Sequence, residues 1–203
     1  MQKLLVATKN KGKILEIKKY LSDLPLELIS LSDVGIIDDV EENGLTYEEN
    51  SQKKALFYAK RSGLPVISDD GGLEIHAINN EPGIRSRRWL GYEGTDEELL
   101  KHLQKVSNEL PEEDRNAQFV AVLTFALPTG EYWSEKGVVH GEIARNPHPK
   151  LLHGYPYRSF FFLPHIQKYY HESELTIDEE KAYNHRYKAI EKLKPIIKKV
   201  LDL

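Results

Sequence analysis

The sequence predicts an α/β protein built on a mixed β-sheet, and three observations carry that prediction. Short apolar runs alternate with stretches of helical periodicity through the first half of the chain. Two long apolar runs separated by little more than Pro128, Thr129 and Gly130 then read as a hairpin. The chain closes on a long amphipathic stretch. Strands alternating with helices imply parallel pairs, and the hairpin adds an antiparallel one.

The elements follow in order. KLLVAT (3–8) is a strand, and KGKILEIKKYLSDL after it places Ile14, Ile17, Leu21 and Leu24 at helical spacing. Residues 26–30 form a second short strand. TYEENSQKKALFYAKRSG is a helix with Thr46 as N-cap, Glu48 and Glu49 in its first turn and a stop at Gly63. PVISDDGGLEIHAI (65–78) reads as a strand, an acidic turn and an alternating second strand, because Asp-Gly is a strong turn signal. TDEELLKHLQKV (95–106) is an amphipathic helix capped by Thr95. AQFVAVLTFAL and EYWSEKGVVHGEIA are the longest strands. Residues 146–164, rich in Pro, Gly and aromatics, form a structured loop entering the short strand FFFL. Residues 178–201 read as one long helix kinked at Pro195.

Composition narrows the function classes. A chain of 203 residues suits one domain, or two closely packed lobes, with a sizeable core. Its 40% hydrophobic and 30% charged content excludes a disordered or coiled-coil chain. A net charge of −4 gives no global basic field, so no nucleic-acid partner is expected. No apolar stretch approaches the ~20 residues that span a bilayer, and the opening residues are not a signal peptide, so no membrane partner is expected either. Without cysteine there is no disulfide, thiol catalysis or zinc-thiolate site, which fits a reducing compartment and a cytoplasmic location.

Four stretches are over-specified for packing. In ATKNKGK, a strand passes into a loop holding Thr8, Asn10, Gly12 and Lys13 just before a helix, an arrangement that suits a phosphate group. The plain alternative is a solvated surface turn. In VEENGLTYEEN, helix capping accounts for Thr46 to Glu49 but not for Glu41 and Glu42. With Asp69 and Asp70, those acids could supply oxygen ligands to Mg²⁺. PGIRSRRWLG groups Arg85, Arg87 and Arg88 beside Trp89, equally readable as a solvated basic loop. NHRYKAI sets His185, Arg186 and Lys188 at a helix start, where cations oppose the helix dipole and stability alone would not choose them. Together these suit hydrolysis of a nucleoside triphosphate.

The segments ATKNKGKILEI, EENGLTYEEN, KKA, ISDDGGLEIHAI, PGIRSRRWLG, GEIARNPHPKLLHGYPYRSFFFLP and EEKAYNHRYKAI resemble, in order and spacing, the inosine triphosphate pyrophosphatase family. The resemblance runs from about Leu4 to Leu193. It implies a single domain with a two-lobed fold, a long mixed sheet flanked by helices, an active-site cleft between the lobes and a homodimer. The implied activity is Mg²⁺-dependent cleavage of deaminated purine triphosphates (ITP, dITP, XTP) to monophosphate and pyrophosphate. Thr8, Asn10, Lys11, Gly12 and Lys13 match the phosphate loop, and Lys54 the lysine that reaches the triphosphate. Glu41, with Glu42 as a near-equal candidate, matches the acidic metal ligand. Asp70 matches the catalytic base and metal partner, supported by Asp69, and Arg88 the arginine of the family's PGxxSAR stretch. Lys181, His185 and Arg186 match the C-terminal substrate-contacting group, with Lys181 one residue closer to His185 than the family spacing.

The base pocket departs from the pattern. Gly71 replaces a substrate-contacting serine, Pro156 stiffens a glycine-built loop, and Asn184 and Tyr187 replace a serine and a glycine. Tyr155 and Tyr157 keep aromatic surface, but Arg158 stands where the family has an aspartate facing the base. An acceptor becomes a cationic donor, which implies a shifted base preference. A nucleotide-binding dimer without efficient catalysis is the alternative in another class, and a nucleic-acid binder using residues 85–88 is a weaker one.

Overall fold

The computed structural model describes residues 1–203. Its strands are β1 (Gln2–Ala7), β2 (Leu26–Ser30), β3 (Val66–Ile75), β4 (Glu81–Pro82), β5 (Asn116–Ala126), β6 (Tyr132–Ile143), β7 (Phe161–Leu163) and β8 (Lys168–Tyr169). Its helices are α1 (Lys11–Tyr20), α2 (Tyr47–Ser62), α3 (Asp96–Glu109), α4 (Ile177–Tyr183) and α5 (His185–Leu201). The strands form one sheet in the order β2-β1-β3-β5-β6-β7-β8, with β4 paired to β3. β1 pairs in parallel with β2 and with β3, while β7 pairs antiparallel with β6 and with β8, so the sheet is mixed as expected. No helix is long and apolar enough to cross a membrane.

The chain divides into two compact units, Met1–Asp70 with Ala121–Gly137 and His185–Leu203, and Gly71–Val120 with Val138–Asn184. In the first unit the parallel pair β1–β2 needs a crossover, which α1 supplies. β1 is buried on both faces, and its period-2 alternation divides its side chains. Leu4 and Val6 join a core with Ile17, Leu193 and Ile197, whereas Leu5 and Ala7 join another with Ala55, Tyr58 and Ala59. One face therefore packs on α1 and α5 and the other on α2. The second unit has its own core around Leu73, Leu99, Phe119 and Phe160.

Local signals placed both ends of α2 and the start of α3. Thr46 Oγ1 accepts from Glu49 N, and Gly63 closes α2 at φ +70°. Thr95 and Glu98 form a reciprocal capping box at α3. A cap of this kind contributes about 1 kcal/mol.

Two expectations are corrected. The acidic stretch at 69–72 is not a turn: β3 runs without interruption from Val66 to Ile75. Residues 66–68 are held by β1 and residues 74–75 by β4, and this pairing overrides the local turn preference of Asp-Gly. Nor do residues 178–201 form one helix. Asn184, at φ −97° and ψ 116°, is extended and separates α4 from α5, while α5 continues through Pro195.

Candidate active site

The continuous strand explains how two adjacent aspartates coexist. Successive side chains of a strand point to opposite faces, and here Ile67 and Asp69 share the α1–α5 face while Ser68 and Asp70 share the α2 face. Ile67 packs with Ile17 and Leu193. Ser68 Oγ donates to Ser51 O on α2 at 2.7 Å. The two carboxylates therefore meet different partners.

Asp69 is fully buried and paired with two cations. Arg186 Nε donates to its Oδ2 at 2.6 Å, Arg186 Nη2 to its Oδ1 at 3.4 Å, and Lys13 Nζ makes an ion pair with Oδ1. Arg186 Nη1 also pairs with Glu16 Oε2. Burial alone would raise the Asp69 pKa, but Arg186 and Lys13 outweigh it and hold the carboxyl far below the ordinary range. Asp69 is thus ionised at neutral pH, with both oxygens engaged.

Asp70 has the opposite environment. Burial raises its pKa, with Glu42 and Asp69 adding to the rise and Lys54 and Lys13 opposing it. Its Oδ1 lies 3.6 Å from Lys54 Nζ, and its buried Oδ2 accepts no hydrogen bond. Lys54 Nζ donates to Asp69 O at 2.7 Å and stands 3.3 Å from Glu42 Oε1. Of the two candidate glutamates, Glu42 therefore meets the Lys54–Asp70 pair, whereas Glu41 is exposed and accepts from Asn43 Nδ2 at 3.2 Å. No group of three or more acidic or histidine side chains is placed to hold a metal ion unaided.

The loop expected to bind phosphate is built by local capping. Asn10 N donates to Thr8 Oγ1 at 3.2 Å, and Asn10 Oδ1 accepts from Lys13 N at 3.1 Å. The first N–H groups of α1, at Lys11 and Gly12, have no intrahelical acceptor. At the other helix, Gly137 is required: a Cβ there would lie 1.9 Å from His185 O and 2.8 Å from Ala189 N. β6 thus runs directly against the first turn of α5, where His185 and Arg186 are buried.

The remaining candidates belong to the second unit. Arg158 is buried, with its guanidinium carbon 4.0 Å from the Tyr155 ring centroid and 4.4 Å from that of Tyr170. Tyr157 OH donates to Ser86 O, and burial pushes its phenol pKa up, so Tyr157 holds the chain rather than offering a polar group. Gly71 lies within β3, Arg88 is exposed at the end of the 3-10 helix Gly83–Arg88, and Lys181 is exposed on α4. Gly72 is required by a close internal approach: a Cβ there would lie 2.1 Å from Ser86 Oγ and 2.4 Å from Gly83 O. Of the basic loop, Arg87 pairs with Asp96 at 2.6 Å.

Sequence reasoning missed Glu16, Gly137 and Tyr170. Glu16 was within reach, since it follows Lys13 by one helical turn beside the core residue Ile17. Tyr170 and Gly137 carry no local signal.

The Ham1 family model matches residues 4–196. A dITP/XTP pyrophosphatase of Clostridium perfringens is 37% identical over 211 residues, covering 99% of this chain and 100% of that protein. One from Geobacter sulfurreducens is 37% identical, with 96% of each chain covered. Among solved structures, a HAM1 protein from Coxiella burnetii is 33% identical with a TM-score of 0.83, covering 98% of this chain and 100% of that one.

Proposed function

The chain belongs to the Ham1 family, and we propose on that premise that it is a metal-dependent nucleoside triphosphate pyrophosphatase. Its substrates are deaminated purine triphosphates, ITP, dITP and XTP, cleaved to monophosphate and pyrophosphate as a house-cleaning step. The observation that carries the reading is the contrast at 69–70: an ionised Asp69 that fixes Lys13 and Arg186, beside an Asp70 with a free buried oxygen and a raised pKa. One carboxylate organises phosphate-binding cations, and the other is available for chemistry.

The residues present fit Mg²⁺. That ion takes one or two carboxylates and fills its shell with water and substrate phosphate. Asp70 Oδ2 has no partner, and Glu42 is the second acid at Lys54. Asp70 and Glu42 would hold the ion, which when bound supplies charge neutralisation on the triphosphate and a more acidic water. Lys13, Lys54 and the N-terminus of α1 bind phosphate oxygens, with Thr8 and Asn10 shaping the loop. Asp70 orients the attacking water and takes its proton, a task helped by a pKa raised towards the working pH. Arg186 is a positioning residue acting through Asp69. Tyr155 and Arg158 belong to the base end, where the change from the family's aspartate shifts preference among bases. A homodimer in the cytoplasm completes the reading.

Pyrophosphate release with Mg²⁺ across ITP, dITP, XTP and the ordinary triphosphates, beside Asp70→Asn, tests it. Preferential cleavage of the deaminated substrates, lost in the variant, is expected. Nucleotide binding without pyrophosphate release would favour the binding-protein alternative instead.

A further inference from the structure

Lys54 sits where a cation is wanted. Its ammonium is 3.3 Å from Glu42 Oε1 and 3.6 Å from Asp70 Oδ1, the two acids assigned to the metal. It is buried on α2 and tethered to Asp69 O at 2.7 Å, so it has little room to retreat. A divalent ion within ~2.0–2.1 Å of the same carboxylates would face a fixed positive charge nearby.

We propose that Lys54 is the resident cation of this site, so that a divalent metal binds only together with the triphosphate. The polyanion supplies the negative charge that lets ammonium and metal coexist, with Lys54 held in place by Asp69 O and its charge met by phosphate oxygens. Metal and nucleotide are then coupled reciprocally: each raises the affinity for the other by the same factor. The consequence is that the empty enzyme does not hold metal, and metal arrives as a metal–triphosphate complex. This inference rests on the proposed metal role of Asp70 and Glu42.

The test is Mn²⁺ binding, followed by electron paramagnetic resonance, with Mn²⁺ alone and with the α,β-methylene analogue of ITP. Wild type, Lys54→Met, Lys54→Arg and Asp70→Asn are compared, with thermal melting to confirm folding. Lys54→Met is expected to bind free Mn²⁺ at least tenfold more tightly than wild type, and the enhancement by nucleotide is expected to shrink by at least tenfold. Lys54→Arg keeps the charge and is expected to bind free Mn²⁺ as weakly as wild type, which separates charge from packing. If Lys54→Met binds free Mn²⁺ no better, while wild type with the analogue binds it in an Asp70-dependent way, the resident-cation idea is overturned and the metal site stands. If no arm shows Asp70-dependent Mn²⁺ binding, the metal reading falls and this inference with it.

Discussion

Arg186 Nε donates to Asp69 Oδ2 at 2.6 Å, joining two buried charges 117 residues apart in sequence. The pair ties the first turn of α5 to the centre of β3, and Glu16 on the other side of Arg186 ties both to α1. Removing one partner leaves an uncompensated buried charge, which is far costlier than replacing both. Arg186→Met should therefore lower stability by about 3–5 kcal/mol at neutral pH, read from urea unfolding. The lowered native pKa of Asp69 means its stabilisation is full above the unfolded value of 3.8 and is lost as pH falls through the native value. The gap between wild type and variant should narrow below pH 3.8, and a gap independent of pH would show that the pair is not its source.

Asp70→Asn should separate activity from stability. Because burial raises the native pKa of Asp70, its favourable contribution is present below the unfolded value of 3.8 and lost as pH rises through the native value. At pH 7 the ionised carboxylate is a burden on the fold, with Oδ2 unsatisfied. The variant should melt at or above the wild-type temperature while pyrophosphate release falls by at least ~10²-fold. A variant that is both inactive and strongly destabilised would make Asp70 structural.

The contrast between these aspartates marks what could be read in advance. Helix caps at Thr46, Gly63 and Thr95 are decided within four residues, and sequence shows them. β2 was legible down to its ends, and the hairpin β5–β6 nearly so, because apolar runs bounded by turn residues need no distant partner. The stretch 69–72 was misjudged because its conformation is set by pairing to β1 and β4, against its own turn preference. The break at Asn184 was half legible: the cations at His185, Arg186 and Lys188 marked a helix start, but the stretch before it was read as part of the same helix. The ordered motifs brought Lys13, Lys54, Asp69, Asp70 and Arg186 to attention. Which carboxylate is locked and which is free depends on strand alternation and on cations from α1, α2 and α5.

Gly137 gives a stability test remote from the charges. Its missing Cβ leaves room for His185 O, which would otherwise lie 1.9 Å away, and both atoms to be moved are backbone. Gly137→Ala must push α5 outward or bend β6, at about 1–3 kcal/mol or more. Since α5 opens with His185 and Arg186, KM for the triphosphate should rise as well. Gly130→Ala, where a Cβ meets nothing but φ is +100°, should cost stability without changing KM.

His148 and His171 supply a pH dependence independent of the active site. Their rings stack with centroids 4.0 Å apart, His148 Nε2 is 3.2 Å from Glu174 Oε1, and His171 Nδ1 lies 2.8 Å from Ser173 Oγ. Tyr169 packs edge-on against His148. Burial lowers the His171 pKa, His148 lowers it further, and Glu172 and Glu174 oppose the shift. Its contribution is therefore present above the unfolded value of 6.5 and lost as pH falls below it. Wild-type urea midpoints should drop between pH 7 and pH 5, and His171→Gln should flatten that slope. An unchanged slope in the variant would place its origin elsewhere.

The proposed shift at the base end is tested at Arg158. With the rings of Tyr155 and Tyr170 both against the guanidinium, each contact contributes about 0.5–2 kcal/mol, more when desolvated. The family's aspartate cannot simply be restored, because in Arg158→Asp a carboxylate would meet the negative faces of two rings. That variant should lose about 2–4 kcal/mol of stability, as two contacts of that size vanish and a charge is buried. Arg158→Met keeps an aliphatic stem and introduces no charge, and should lose less. If the guanidinium also governs base choice, Arg158→Met should change the ratio of kcat/KM between ITP and GTP by tenfold or more through KM, with kcat nearly constant. A stable Arg158→Asp protein with wild-type KM for both substrates would show that neither the stack nor the base end depends on this residue.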